Sequence, residues 1–479
     1  MGINSKKVAM NLIWRFLERT GAQGVTFVVS IILARLLDPS TYGTVAIVTV
    51  IISLLQVFID SGLGNALIQK KDSDYIDFST VFYFNVAACS LMYIVLFISA
   101  PYIAMFYSMP DLTPVIRVLG ITLIISGVKN IQQAYVSKKM MFKKFFFATL
   151  GGTIGSAFIG IVMAYQGFGV WALVAQNLFN NLVDTIILWL TVKWRPILKF
   201  SYSRLKKLFG FGSRLLVTDL LENLYNDISQ LIIGKQYTSA QLAFYNKGKQ
   251  FPYYVVTNIN SSLKSVLFPV FSEAQDDLVY LKSITRKSIQ LSNYLISPMI
   301  IGLAACAETF ISCLLTDTWL PCVIYLRLFC ICYLFQPIQT TNKNAIKALG
   351  KGEILLKIQL IVRCVGIALI ILAIKWGIIA ITLAVIFTNL FEQVLLATEN
   401  KKLLQYGYVD QFVDMFPAIA MSLIMGTVVY WMQNIPAHSA IVLLLQVIVG
   451  FLIYLIESIF TKNNTFIYIL SFLRKNKRK

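Results

Sequence analysis

The sequence predicts an all-α polytopic membrane protein of about 14 transmembrane helices: two pseudo-symmetric six-helix lobes around a central cavity, followed by two C-terminal helices. Composition, the spacing of apolar segments and the alternation of basic loops predict it. The 479 residues are 57% hydrophobic and 13% charged, with a mean hydropathy of +0.72, which excludes a soluble globular domain. Apolar segments fall near 12–36, 41–59, 78–100, 114–135, 145–165, 168–192, 211–235, 241–267, 287–306, 322–346, 354–375, 377–398, 412–433 and 437–460. Each has about the 20 residues a bilayer crossing needs.

The first segment carries Arg15, Glu18 and Arg19 and lacks a small-residue cleavage site, so it reads as an uncleaved helix. The basic loops then alternate. One set holds Lys6, Lys7, Lys70, Lys71, the groups at 138–144, 193–207, 282–287 and 347–357, Lys401, Lys402 and the tail from Lys462; the other holds only Arg35, Lys235 and Lys375. The positive-inside rule therefore places both termini in the cytoplasm. The net charge of +20 is spread over many short loops instead of one stripe, which excludes nucleic acid as the partner.

A repeat appears at an offset of 200, where Ile59–Leu67 aligns with Ile259–Leu267 and Arg35 with Lys235. At an offset of 208, Gly169-Val170-Trp171-Ala172-Leu173 aligns with Gly377-Ile378-Ile379-Ala380-Ile381. The expected division is a lobe at 1–200, whose basic linker from about 193 forms an interfacial helix capped at Ser201-Tyr202-Ser203, a lobe at 201–400, and two helices with a basic tail at 401–479. Six helices per lobe is an even number, so the lobes run in the same direction.

Eleven cations lie inside apolar segments, at roughly 2.5 to 3.5 kcal/mol each on insertion scales. Arg15, Arg19, Gln23, Thr26 and Ser30 share one face of the first helix, and Asp219, Asn223, Asn226 and Gln230 share one face of the seventh. Two such stripes suggest a hydrophilic cleft between lobes. Hydrogen-bonded joining of helices, at about 0.6 to 2 kcal/mol per bond, is the alternative, and the excess of positive charge favours the cavity. The candidate anion cradle is Arg15, Arg19, Arg214, Lys249, Lys343 and Arg363, with Lys129, Lys247, Gln23, Asn223, Asn226 and Gln339 as secondary cavity residues. Arg117, Lys264 and Arg327 lie near helix ends, where long side chains snorkel. The segment at 41–59 offers only Thr49, Ser53 and Gln56 and reads as mainly apolar.

Asp219, Glu222 and Asp227 crowd the seventh helix and suit Na⁺ or H⁺ coupling, with a hydrogen-bonded structural role as the alternative. No cofactor or resident metal is expected: seven cysteines match no ligand spacing, and one histidine, His438, excludes His-based triads. Cys313 and Cys322 flank a short loop across which a disulfide is conceivable only if that loop is exported. Gly151, Gly152, Gly155, Ser156 and Gly160 form a face for close helix packing. The phosphate-binding pattern GxxxxGKS/T is absent, so ATP hydrolysis by this chain is not expected.

Several motifs resemble the polysaccharide transporter branch, the Wzx-type flippases, of the multidrug/oligosaccharidyl-lipid/polysaccharide exporter superfamily. They are Leu33–Gly43, Asp60–Gly64 through Ile68–Asp72, Gly169–Val174, Phe209–Gly212, Leu267–Pro269 and Lys347–Lys351. The resemblance covers most of both lobes. It implies a multi-pass bacterial inner-membrane protein with a V-shaped twelve-helix core, which exports undecaprenyl diphosphate-linked oligosaccharide by alternating access for lipopolysaccharide O-antigen, capsule or exopolysaccharide synthesis. Implied partners are membrane lipids and the polymerase and glycosyltransferases of the same pathway. A drug/cation antiporter of the superfamily would favour an acidic cavity, against the excess of buried cations. A glycan polymerase or membrane glycosyltransferase would need a sizeable exported loop with catalytic residues; the longest, around 101–113 and 306–321, hold no Arg, Lys or His.

Overall fold

The computed structural model describes residues 5–59, 63–70, 72–273, 277–468 and 471. Among them there is no strand, and the helices are α1 (Ser5–Leu36), α2 (Pro39–Ile59), α3 (Asn65–Gln69), α4 (Tyr75–Tyr107), α5 (Leu112–Lys138), α6 (Phe142–Tyr165), α7 (Val170–Thr191), α8 (Tyr202–Gln236), α9 (Ser239–Glu273), α10 (Leu278–Ala305), α11 (Ala307–Leu314), α12 (Val323–Leu334), α13 (Gln336–Ala348), α14 (Gly352–Ala373), α15 (Ile378–Leu404), α16 (Tyr408–Trp431) and α17 (Ser439–Phe460). Eleven candidate spans are long and apolar enough to cross a membrane, with α12 and α13 forming one of them. The protein is therefore an all-α multi-pass membrane protein. Helices α8 and α9 have 35 residues each but do not meet that criterion, because the polar residues along them dilute their apolar runs.

The chain forms two compact units, Met1–Ala243 and Phe244–Lys479. Helix boundaries recur at the offsets found in the sequence. Helix α1 ends at Leu36 and α8 at Gln236; α2 starts at Pro39 and α9 at Ser239; α7 starts at Val170 and α15 at Ile378. The last pair follows Gly169 (φ +53°) and Gly377 (φ +96°), backbone conformations that favour a residue without a Cβ.

In unit 1, Phe78, Tyr135 and the fully buried Trp194 pack with ring centroids 5.5 to 6.3 Å apart, and Gln132 Nε2 donates to the Trp194 carbonyl at 3.2 Å. In unit 2 the fully buried Tyr406 follows α15 as Trp194 follows α7. Beneath it lies a knot of buried amides. Asn342 Nδ2 donates to Gln411 Oε1 at 2.9 Å, Gln411 Nε2 returns to Asn342 Oδ1 at 3.2 Å, and Gln393 Nε2 reaches Gln411 Oε1 at 3.2 Å. These bonds tie α13, α15 and α16 together, with Gln393 Oε1 left buried and without a partner among the described residues. Helix α16 packs on α10, and α17 joins them where Tyr294 Oη donates to Ser458 Oγ at 2.7 Å and Tyr454 Oη to the Tyr294 carbonyl at 2.9 Å.

Two expectations are corrected. Residues 193–201 are non-helical, and α8 runs unbroken from Tyr202, so no separate interfacial helix forms; Ser201 is the N-cap residue without a side-chain cap. The backbone of this segment is taken up by α4 instead, with Ile197 N donating to Ser79 Oγ and Ser201 N to Thr80 Oγ1 at 3.0 and 3.1 Å. The loops expected around 101–113 and 306–321 are also shorter, because α4 reaches Tyr107 and most of the second folds into α11 and a 3-10 turn at Asp317–Cys322.

Four charges tie the start of α8 to the start of α4. Asp74 and Asp77 form a capping box; Arg204 lies 2.6 Å from Asp74 and 3.3 Å from Asp77, and Lys70 lies 2.5 Å from Asp77, whose side chain is fully buried. Burial acts to raise the Asp74 carboxyl, but the hydrogen bonds from Arg204 and from the Asp77 amide outweigh it and hold the group below its ordinary range. A depressed carboxyl stabilises the fold above its unfolded pKa and loses that contribution as pH falls through the folded value, so this junction should loosen on acidification. Asp77→Ala removes both cation partners and one half of the capping box, and is expected to cost about 3 kcal/mol. Thermal unfolding of the purified protein measures this, and an unchanged midpoint would contradict the junction.

Candidate functional site

Among the described residues a cleft of about 380 Å³ lies within unit 1 among α2, α5 and α7, lined by polar side chains together with Ile52 and Leu119. From α2 come Thr49, Ser53 and Gln56, spaced so that they share one helical face. Helix α5 contributes Thr122, Ser126, Lys129 and Gln133 at spacings of four, three and four, and α7 contributes Asn177 and Asn181. Gly152 lets α6 pack on the far side of α7, where a Cβ would lie 2.9 Å from the Asn180 carbonyl; the small-residue face thus holds α7 in place.

Lys129 is the cation in this cleft. Its Nζ lies 3.2 Å from Asp184 Oδ2 and 3.0 Å from Asn181 Oδ1, with side-chain exposures of 14% for Lys129 and 9% for Asp184. At such burial, mutual neutralisation is what lets both groups remain charged inside an apolar bundle. Asp184 Oδ1 is buried without a hydrogen-bond partner among the described residues. On the α2 side, Ser53 Oγ lies 3.3 Å from Asp227 Oδ2, and Gln230 Nε2 donates to Asp227 Oδ1 at 2.8 Å, so Asp227 joins α8 to the wall of the cleft.

Unit 2 carries a matching pair. Lys343 on α13 lies 2.6 Å from Glu392 on α15, and Gln339 Nε2 donates to the Asn389 carbonyl at 2.6 Å. Asn389 and Glu392 stand 208 positions after Asn181 and Asp184, so the repeat keeps the amide in sequence and the acid paired with a lysine, while the Asn389 side chain donates to the Val385 carbonyl at 2.8 Å.

The other expected residues are distributed as follows. The side chains of Arg15, Arg19, Arg214 and Lys264 lie outside the described residues. Lys249 and Arg363 are half-buried, and neither is without a partner. Lys247 is buried in unit 2 with its Nζ 5.9 Å from the centre of the Trp319 ring. Gln23 is half-buried, Asn226 is exposed, and Asn223 Nδ2 turns back to the Asp219 carbonyl at 2.8 Å. Glu222 is exposed, and Asp227 lies 3.3 Å from Ser53 Oγ. Arg117 stacks over Phe97 at 4.3 Å, and Arg327 pairs with Glu308 at 3.0 Å. The seven cysteines, Cys313 and Cys322 included, are free thiols, and no group of three or more His, Cys, Asp or Glu residues that could hold a metal ion occurs among the described residues.

A family model described as a polysaccharide biosynthesis protein matches residues 32–324, from the end of α1 into α12. The chain belongs to that family. It is a Wzx-like branch of the multidrug/oligosaccharidyl-lipid/polysaccharide exporter superfamily, a family of transporters and not of enzymes. Its relatives include a succinoglycan biosynthesis transport protein, ExoT, of Rhizobium meliloti, 26% identical over 66% of this chain and 64% of that protein. A teichuronic acid biosynthesis protein, TuaB, of Bacillus subtilis is 25% identical over 62% of each chain. A lipopolysaccharide biosynthesis protein, WzxC, of Escherichia coli is 22% identical over 78% of this chain and 76% of its own. The chain thus spans less than two thirds of the length of the first two relatives. Among solved structures, a lipid II flippase, MurJ, in an inward closed conformation superposes with a TM-score of 0.77 at 14% identity, over 94% of this chain and 99% of that one. An inward-facing multidrug transporter of the MATE family gives 0.62 at 13% identity, over 83% and 94%. At such identities the shared property is the fold.

Proposed function

We propose that this protein is a flippase that carries undecaprenyl diphosphate-linked oligosaccharide across the bacterial inner membrane, for lipopolysaccharide, capsule or exopolysaccharide synthesis. The observation that carries the reading is a hydroxyl- and amide-lined cleft with a paired lysine, set inside helices whose outer faces are apolar. A lipid-linked glycan needs such a polar passage for its head, while its tail stays in the bilayer. Family membership and the transport and lipopolysaccharide proteins among the relatives support the same substrate class.

In this reading fourteen spans form lobes at 1–200 and 201–400 around a central cavity, with the helices of 401–479 appended and both termini cytoplasmic. Alternating access moves the substrate, and Arg15, Arg19, Arg214, Lys249, Lys343 and Arg363 meet the diphosphate. Lys343 does so by exchange with Glu392, its partner at 2.6 Å. Coupling to Na⁺ or H⁺ through Asp219, Glu222 and Asp227 belongs to the same proposal, as do contacts with the polymerase and glycosyltransferases that supply and consume the glycan.

Deleting the gene in a strain without a redundant flippase is expected to trap lipid-linked oligosaccharide on the cytoplasmic leaflet. Normal surface glycan in that strain would sink the assignment. Neutralising Lys249, Lys343 and Arg363 together should lower export at least about tenfold, the loss expected when a charge-assisted contact of about 1.5 kcal/mol is removed.

A further inference from the structure

We propose that the cleft in unit 1 is a carbohydrate subsite: it receives an uncharged, hydroxyl-rich sugar of the glycan, while the diphosphate is held elsewhere. The inference rests on the flippase reading and assigns one part of its substrate to one set of residues. Its basis is the hydrogen-bond inventory of the walls.

Three of the four hydroxyls that line the cleft have their protons engaged, whereas the fourth, Ser126, makes no hydrogen bond among the described residues. Thr49 Oγ1 donates to the Val45 carbonyl at 2.8 Å and Thr122 Oγ1 to the Leu119 carbonyl at 2.6 Å, and Ser53 donates to the Val50 carbonyl at 2.8 Å or to Asp227 at 3.3 Å. What these oxygens present to the cleft is lone pairs. The amides follow the same pattern. Asn177 Nδ2 donates to the Leu173 carbonyl at 3.0 Å, so its Oδ1 is the atom left to accept. Gln56 and Gln133, on opposite walls, make no hydrogen bond among the described residues, and each offers two N–H donors and one carbonyl acceptor.

Such a wall suits a ligand that both donates and accepts. A sugar hydroxyl does both. A phosphate only accepts, and would meet lone pairs from Thr49, Thr122 and Asn177. The cation does not reverse this preference. Lys129 already has Asp184 at 3.2 Å and Asn181 at 3.0 Å, so the pair carries no net charge, Asp227 adds a further carboxylate behind Ser53, and a phosphate at the Lys129 Nζ would have to sit beside a carboxylate or displace it. A volume of about 380 Å³ lies within the usual range for small-ligand sites. A neutral subsite also explains how one carrier can bind the same diphosphate in every cycle while choosing its cargo by the sugar, since a polar site rejects a ligand that leaves its groups unpaired.

The test uses the full-length protein in lipid nanodiscs, carrying Gln133→Cys or, independently, Gln56→Cys. Modification by a small water-soluble thiol reagent is followed at the individual peptide by mass spectrometry, so the native cysteines act as internal controls. One probe is the glycan released by mild acid from the strain's own lipid-linked repeat unit; the others are inorganic pyrophosphate and tetramethylammonium. The expected result is at least tenfold slower modification at both positions with the glycan and no change with pyrophosphate or tetramethylammonium. Protection by pyrophosphate would make the cleft the phosphate site, and protection by tetramethylammonium alone would make it a cation site; either outcome overturns the proposal. So does an unprotected cysteine at a glycan concentration that competes with transport, a result that would leave the flippase reading standing. Trapped lipid-linked oligosaccharide in the deletion strain tests that reading separately.

Discussion

Alanine at Gly43 should leave little folded protein. Gly43 lies on α2 where that helix meets Ser239, also in unit 1, and a Cβ there would overlap the Ser239 carbonyl group and lie 2.7 Å from its Cα. These are backbone atoms, so no rotamer change can relieve the clash; the chain segments must separate. Overpacking commonly costs about 1 to 3 kcal/mol, and a rigid backbone neighbour puts Gly43→Ala at about 3 kcal/mol or more. Gly24 on α1 is the control. Among the described residues nothing lies within 4 Å of its virtual Cβ, so Gly24→Ala should be neutral or stabilising, by up to about 1 kcal/mol of helix propensity. Monodisperse yield after solubilisation and the thermal midpoint report both effects, and equal behaviour of the two variants would refute the close approach at Gly43.

Breaking the Lys129–Asp184 pair from one side should cost more than removing it. Asp184→Ala leaves the Lys129 ammonium with the Asn181 amide as its one remaining hydrogen-bond partner among the described residues, a loss of about 3 to 5 kcal/mol. Lys129→Met combined with Asp184→Leu replaces two buried charges by apolar groups of similar size and should recover most of that stability. A thermal double-mutant cycle measures the coupling directly, and additive single effects would mean that the two groups do not interact.

Much of the fold was legible from period and charge. Thirteen of the fourteen apolar segments fall on a single helix to within a few residues, the segment at 322–346 is divided between α12 and α13, and the offsets of 200 and 208 reappear as helix boundaries at Leu36 and Gln236 and at Gly169 and Gly377. Less of the site was. Thr49, Ser53 and Gln56 looked minor on an apolar helix, yet they form one wall of the cleft, because a few polar groups on a single face suffice where three helices converge. The stripe of Thr122, Ser126, Lys129 and Gln133 has the same spacing as the stripes recognised on α1 and α8, and Asn177, Asn181 and Asp184 repeat it on α7. A stripe shows which residues share a face but not which helix that face meets. Lys129 and Asp184, 55 positions apart, therefore read as two separate charges when they are one neutral pair. Residues 193–201 misled for a related reason: their basic side chains suggested an amphipathic helix, whereas Ser79 and Thr80 of α4 supply hydrogen bonds to the backbone of this non-helical segment.

The junction at the base of α4 bears on how the chain is made. Asp77 has no exposed side-chain surface in the finished protein, yet Arg204 follows it by 127 positions. At synthesis rates of roughly 5 to 20 residues per second, Arg204 leaves the ribosome on the order of ten seconds after Asp77. Through that interval Lys70 is the nearer of the two cations, and helices α4 to α7 are made before the second arrives. Helices α4 to α7 are thus synthesised with their base unclosed, and the opening turn of α8 completes it.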